Sequence, residues 1–143
     1  MVDINRSALL PFSAEQVFGL VNNVADYSLY MDGCVGTEVF ESSDAHMVAR
    51  LDLEKGPMKY SFVTRNKLVP FEHIYMDLEE GPFTKFEGKW TFRPLSEHAC
   101  KVTLDIKFTM SNVLAGRAAS KLVASLGNTL VDSLSKRANQ IYG

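Results

Sequence analysis

From residue 100 to residue 110 the chain alternates without a break. Val102, Leu104, Ile106, Phe108 and Met110 are separated by Lys101, Thr103, Asp105, Lys107 and Thr109. Period two puts the apolar set on one face of a strand and the polar set on the other. A sheet that is wet on one side must cover its other side with something apolar. The segment that follows, Asn112 to Tyr142, supplies the cover. Ala119, Leu122, Val123, Leu126, Leu130, Leu134 and Ile141 recur in it at helical spacing. At 1.5 Å per residue this helix is about 45 Å long, enough to cross a whole sheet. A curved sheet gripping one long helix encloses apolar space, and such space binds apolar ligands wherever it is not fully packed.

The remaining pattern completes an α+β order. Val2 to Leu10 reads as a first strand. Ser13 is a good N-cap with Gln16 at the third helical position, a capping box, and Phe12 and Val17 form the flanking hydrophobic staple. That helix reaches about Val21, and a second short helix covers about Val24 to Tyr30 before Gly33, with Gly36 a further turn or bulge signal. Strands are predicted at about 35–41, 46–54, 58–67, 72–79, 84–94 and 99–110. Ser42-Ser43-Asp44, Lys55-Gly56-Pro57, Val69-Pro70 and Gly81-Pro82 punctuate them. Short strands joined by tight turns argue for an antiparallel meander. With no repeat, linker or low-complexity stretch, residues 1–143 read as a single domain.

Composition removes several classes. At 143 residues and 46% apolar content the chain has the makeup of an ordinary folded domain. No apolar run approaches a membrane span, and no secretory signal opens the chain. Cys34 and Cys100 match no metal or redox spacing and read as small buried residues in a reducing cytosol. No Ser-His-Asp, Cys-His or phosphate-loop pattern occurs, and His46, His73 and His98 fall at strand ends or turns, where a solvated imidazole is the plain reading. Asp52 and Glu54 share a strand face, but alternation makes it the outer one.

Charge is uneven. Residues 1–83 carry 6 basic and 13 acidic groups, whereas residues 84–143 carry 9 and 4. If the last strands and the C-terminal helix are neighbours, one side of the molecule is basic and suits an anionic partner, phosphate backbone or anionic lipid. The alternative is a solvated helix face with no partner.

The inward-facing set is wide and aromatic: Tyr60, Phe62, Ile74, Met76, Leu78, Phe86, Trp90 and Phe92 join the helix stripe. It is nearly free of titratable groups apart from tyrosine phenols. Pattern alone favours a packed core over a cavity.

One block is distinctive: Gly81-Pro82-Phe83 followed by Phe86-Glu87-Gly88-Lys89-Trp90-Thr91-Phe92. Together with Arg6-Ser7-Ala8-Leu9-Leu10-Pro11-Phe12 near the start and Lys136-Arg137-Ala138-Asn139-Gln140-Ile141-Tyr142 near the end, it resembles the bacterial ribosome association toxins and the mitochondrial coenzyme Q-binding proteins. The bacterial branch is the nearer of the two. The resemblance spans essentially the whole chain. It implies a START-like, polyketide-cyclase-like helix-grip fold: a seven-stranded antiparallel sheet wrapped around a long C-terminal helix, with two short helices between strands 1 and 2. It implies binding rather than catalysis, although some superfamily members are cyclases or aromatases.

On this basis the first expectation is a ligand protein linked to respiration, requiring no cofactor and holding ubiquinone, another polyprenyl quinone or a lipid. Tyr60, Phe62, Met76, Phe86, Trp90, Phe108, Leu122, Leu126 and Leu130 would line the cavity. Tyr27, Tyr30 and Phe83 would gate its mouth, tyrosine hydroxyls donating to a quinone carbonyl. The alternative is contact with the large ribosomal subunit through Lys85, Lys89, Lys101, Lys107, Arg117 and Lys121. A small antitoxin-like partner and peripheral contact with the inner membrane from a cytoplasmic location accompany these readings. The family's Tyr-Pro-x-Phe-Leu-Pro pattern is departed from at Tyr27-Ser28-Leu29-Tyr30-Met31-Asp32, where both prolines are missing. Their loss should loosen or lengthen the second helix.

Overall fold

A computed structural model describes residues 2–111 and 113–143, with the side chains of 113–119 outside the description. The sequence expectations for Arg117 and Ala119 therefore lie outside the described residues. The strands are β1 (Val2–Leu10), β2 (Cys34–Ser42), β3 (His46–Lys55), β4 (Met58–Val69), β5 (His73–Glu80), β6 (Phe83–Ser96) and β7 (Ala99–Met110). The helices are α1 (Ala14–Asn22), α2 (Tyr27–Tyr30) and α3 (Val113–Tyr142), with one 3₁₀ turn at Val24–Asp26. All strands are antiparallel in one sheet of order β1-β7-β6-β5-β4-β3-β2. Strands β2 to β7 follow one another as a meander, and β1 crosses to pair with β7. This is the helix-grip arrangement.

Local chemistry sets the boundaries. Ser13 caps α1 by accepting from the Gln16 amide at 3.1 Å, while the Gln16 side chain accepts from the Ser13 amide at 3.1 Å. Both staple residues, Phe12 and Val17, are buried. The β3–β4 hairpin closes with two residues: Gly56 takes φ +58°, and Pro57 fixes the next φ near its ring value. Only a primed turn with glycine first accommodates that pair. The helical segment after α1 is not lengthened by its missing prolines. It breaks into the 3₁₀ turn and a four-residue α2, which ends where Met31 becomes extended and Gly33 reverses the chain at φ +90°. Gly33 supplies the left-handed backbone of the turn that leads into β2.

Seven strands about 4.8 Å apart make a sheet about 29 Å wide. A helix with its side chains is about 10–12 Å across. One helix cannot cover that width, so α3 leans to one side. It packs chiefly on β1 and β7, with further contacts to α1 and α2. The close approach is permitted at Gly127, where a Cβ would stand 2.7 Å from Ile4 Cδ1. At the far end, the Tyr142 hydroxyl donates to the Gln16 carbonyl at 3.4 Å and its ring lies 5.8 Å from Phe12. The space between α3 and the remaining strands, β3 to β6, is left for side chains and α1 to fill.

A bulge re-phases β6. The register slips between Phe83↔Met110 and Lys85↔Thr109, so Phe83 and Phe86, three residues apart, face the same side. Simple alternation would have separated them. The result is a cluster of rings: Phe83 lies 5.4 Å from Phe62, 5.1 Å from Phe86 and 5.7 Å from Phe108.

Gly127→Val forces α3 off β1 and is expected to lower unfolding stability by about 1–3 kcal/mol. In an Ile4→Ala background the added penalty should shrink, because the clashing methyl is gone. A double-mutant cycle by denaturant unfolding measures the coupling.

Candidate functional site

The uncovered part of the inner face becomes a cavity. Its free space is about 70 Å³. The walls come from β3 (Ala49, Leu51), β4 (Phe62, Thr64, Asn66), β5 (Ile74, Met76), β6 (Phe86, Trp90), β7 (Ile106), α3 (Val123, Leu126, Gly127, Leu130) and the end of α1 with its turn (Val21, Asn22, Val24, Tyr27). The α3 contribution is a helical stripe, 123-126-127-130, on one face. Gly88 adds depth. Its missing side chain is filled by Met76, whose Cε would stand 2.5 Å from a Cβ there.

Seven residues of the expected lining set stand in these walls: Tyr27, Phe62, Met76, Phe86, Trp90, Leu126 and Leu130. Five do not. Phe108 and Leu122 are packed core, 0% and 4% exposed. Phe83 is no gate: the bulge buries it behind Phe62 and Phe86 in the ring cluster. Tyr60 sits two residues from the β3–β4 hairpin, beyond the end of the cavity. Tyr30 faces α3, its ring 5.4 Å from the Arg137 guanidinium. Its hydroxyl is buried without a hydrogen-bond partner.

The expected role of the tyrosine hydroxyls also changes. Tyr27 is buried, and its hydroxyl donates to the Val21 carbonyl at the end of α1. Burial pushes its pKa well up, with Tyr30 and Cys34 nearby adding to the rise. Burial also raises Tyr30, opposed by the Arg137 charge. Tyr27 thus closes a structural hydrogen bond rather than offering a free donor.

The polar groups in the cavity come from elsewhere. Thr64 and Asn66 alternate with outward Arg65 on β4 and are each 6% exposed. Asn22 ends α1 opposite them in the wall. The Oδ1 atoms of Asn22 and Asn66 are both buried without a partner. A Thr-x-Asn pair on the otherwise apolar inward face of β4, between Phe62 and Leu68, is the sequence signal for them. Among the described residues, the lining has no carboxylate, imidazole, amine or guanidinium, and no group of acidic, histidine and cysteine residues is placed to hold a metal.

The cations divide between two surfaces. Lys85, Lys89, Lys101 and Lys107 lie on the outer face of β6 and β7, and Lys121 is exposed on α3, which covers the inner face. The expected single basic side is therefore two surfaces, because the helix lies across the sheet from those lysines. On the outer face acids intervene in register: Lys89 is opposite Asp105 and Lys107 opposite Glu87. Lys89 also lies 5.8 Å from the Tyr75 ring. Farther across, Arg50 bridges Asp52 and Glu38 at 2.9 Å each, and Arg65 bridges Glu79 at 3.0 Å. The Ser61 hydroxyl and then Arg50 hold the Asp52 carboxyl below its usual range. His46 is half exposed and bonds Ser43 at 3.0 Å. His73 departs from the solvated reading, since its Nδ1 is buried and unpartnered.

The seven-stranded sheet, the leaning helix and the cavity between them define a START-type fold. Among solved structures, an aromatase/cyclase of a Streptomyces species, named Zhui, matches with a TM-score of 0.85 at 15% identity, covering 97% of this chain and 94% of that one. The family model "Polyketide cyclase / dehydrase and lipid transport" matches residues 10–135, and the chain belongs to that family. Within it, the chain is 44% identical to the ribosome association toxin RatA of Vibrio cholerae, over 100% of this chain and 99% of that protein. It is 27% identical to the mitochondrial coenzyme Q-binding protein COQ10 homolog B of Xenopus laevis, over 99% of this chain and 60% of that one.

Both raised tyrosines predict one pH response. A phenol whose folded pKa lies above its unfolded value near 10.0 stabilises the fold below that pH, and the stability is lost as pH climbs past it. Urea unfolding across the alkaline range should show a steeper loss for the wild type than for the Tyr27→Phe/Tyr30→Phe double variant. Tyr27→Phe alone should cost about 1–3 kcal/mol at neutral pH, by leaving the Val21 carbonyl unpaired.

Proposed function

We propose that this chain is a ribosome-association protein of the toxin type, acting on the large subunit and located in the cytosol. The observation that carries the reading is the 44% identity to a ribosome association toxin along essentially the full length of both chains. The surface assigned to the ribosome is the outer face of β6 and β7, where Lys85, Lys101 and Lys107 are exposed and Lys89 is half-buried. Arg93 opposite Lys101 extends it. Lysines on a flat sheet face suit the phosphates of folded RNA, and acids between them limit affinity and sharpen register.

A second reading concerns the cavity. We infer that it holds an apolar small molecule of the quinone or lipid class, without chemistry upon it. The apolar walls support this, as does the likeness to a coenzyme Q-binding protein. So does the lining, whose described polar groups are amides, hydroxyls and the Trp90 indole N–H rather than acids or bases. At about 70 Å³ the cavity is smaller than a quinone ring requires, so entry needs the flexible Met76, Leu126 and Leu51 side chains to swing aside.

Co-sedimentation with purified ribosomal subunits tests the first reading. Binding should fall by roughly tenfold to a hundredfold between low and physiological salt. Lys101→Glu/Lys107→Glu should abolish it, and Lys121→Glu on the opposite surface should leave it nearly intact. Equal binding by all three proteins, or none by the wild type, would overturn the assignment. Native mass spectrometry of gently purified protein tests the second reading: a stoichiometric quinone or lipid is the expected result.

A further inference from the structure

We propose that the cavity recognises the polar end of its ligand through Asn66, Thr64 and Asn22, and that this end carries a hydroxyl. The inference rests on the reading of the cavity as a ligand site, and it names what that site selects. Buried amides without partners are costly, so a fold keeps them only where something else completes them. Here two unpartnered amide oxygens, those of Asn22 and Asn66, belong to the walls of one cavity. Thr64, two residues before Asn66 on the same face of β4, adds a hydroxyl to that wall.

The polar group is displaced from the tyrosines. Tyr27, the other residue of the lining with a hydroxyl, has it committed to the Val21 carbonyl. The ligand's polar end therefore meets amides and threonine on β4 and α1, and its apolar body lies against Phe62, Met76, Phe86 and Trp90. The two oxygens lack a donor, while the same amides and the Thr64 hydroxyl can donate, so a ligand group that both donates and accepts completes the set. A hydroxyl donates through its proton and still accepts from a threonine or an amide NH₂, whereas a ketone or ether oxygen only accepts. Among quinone-class molecules this favours the hydroquinone, with its phenolic hydroxyls, over the quinone. Among other apolar ligands it favours a phenol or a long-chain alcohol.

Trp90, the single tryptophan, lines the cavity at 2% exposure, so its emission reports occupancy directly. The test titrates the full chain with three probes on one ethylbenzene frame: para-ethylphenol, para-ethylanisole and ethylbenzene. Trp90 emission and calorimetry read the affinity. The phenol should bind at least roughly tenfold more tightly than either of the others, the equivalent of one hydrogen bond to a buried group. In Asn66→Leu that preference should vanish while ethylbenzene still binds. The same variant should melt no lower than wild type, because it removes an unpaired buried amide. Thr64→Val, which keeps the shape, should reduce the phenol preference in part.

Equal affinities for the three probes would overturn hydroxyl recognition and leave the cavity reading standing, the amides then being served by trapped water. A phenol preference that survives Asn66→Leu would also overturn the assignment. If no probe binds and Trp90 emission does not move, the cavity reading falls with it.

Discussion

A single helix is narrower than the sheet it must cover, and most of this molecule follows from that mismatch. Helix α3 settles over β1 and β7, where Gly127 lets it approach Ile4. The inner face of β3 to β6 must then find other cover. Rings fill one end, with Phe62, Phe83, Phe86 and Phe108 in mutual edge and tilted contact. Helix α1 covers part of the rest through Val17, Phe18 and Val21. What remains is the cavity, a residue of geometry rather than of missing side chains. Its position is dictated by where the helix can lean.

The cavity is apolar by area but not by its sharpest feature. Burying an amide without a partner costs of order 1–3 kcal/mol, enough to matter against a total stability of about 5–15 kcal/mol. Leucine has nearly the shape of asparagine and would fit Asn66 without that cost. Tyr27 shows the contrasting solution: its hydroxyl is as deeply buried, and it is bonded to the Val21 carbonyl. The same wall therefore contains one polar group satisfied by the fold and two that are not. Bound water or a ligand hydroxyl must complete the latter.

Much of the fold was legible in the residues. Alternation in β7, the capping box at Ser13 and Gln16, and the turn pairs located almost every element, because each is a local physical preference. What failed was long-range or register-dependent. The bulge after Phe83 changes which aromatic residues share a face, and nothing near Thr84 announces it by composition. Phe108 and Leu122 have the right periodicity for a lining, yet packing makes them core, since periodicity gives a face and not a depth. The lysines of β6 and β7 and Lys121 of α3 are close in sequence but divided by the sheet, a separation that a count of charges does not contain. Thr64 and Asn66 were missed because polar residues in a strand are ordinarily taken as outward.

Strand alternation has a consequence for how such a protein changes over time. From Lys85 to Arg93 of β6 and along β7, each odd residue faces outward and each even one faces the interior. Neighbouring codons thus bear on unrelated properties. The interior can be retuned while the outer lysines stay in place, and the outer face can be rewritten without touching the interior. One scaffold is then free to diverge along two independent axes, as long as no insertion shifts the register and exchanges the faces.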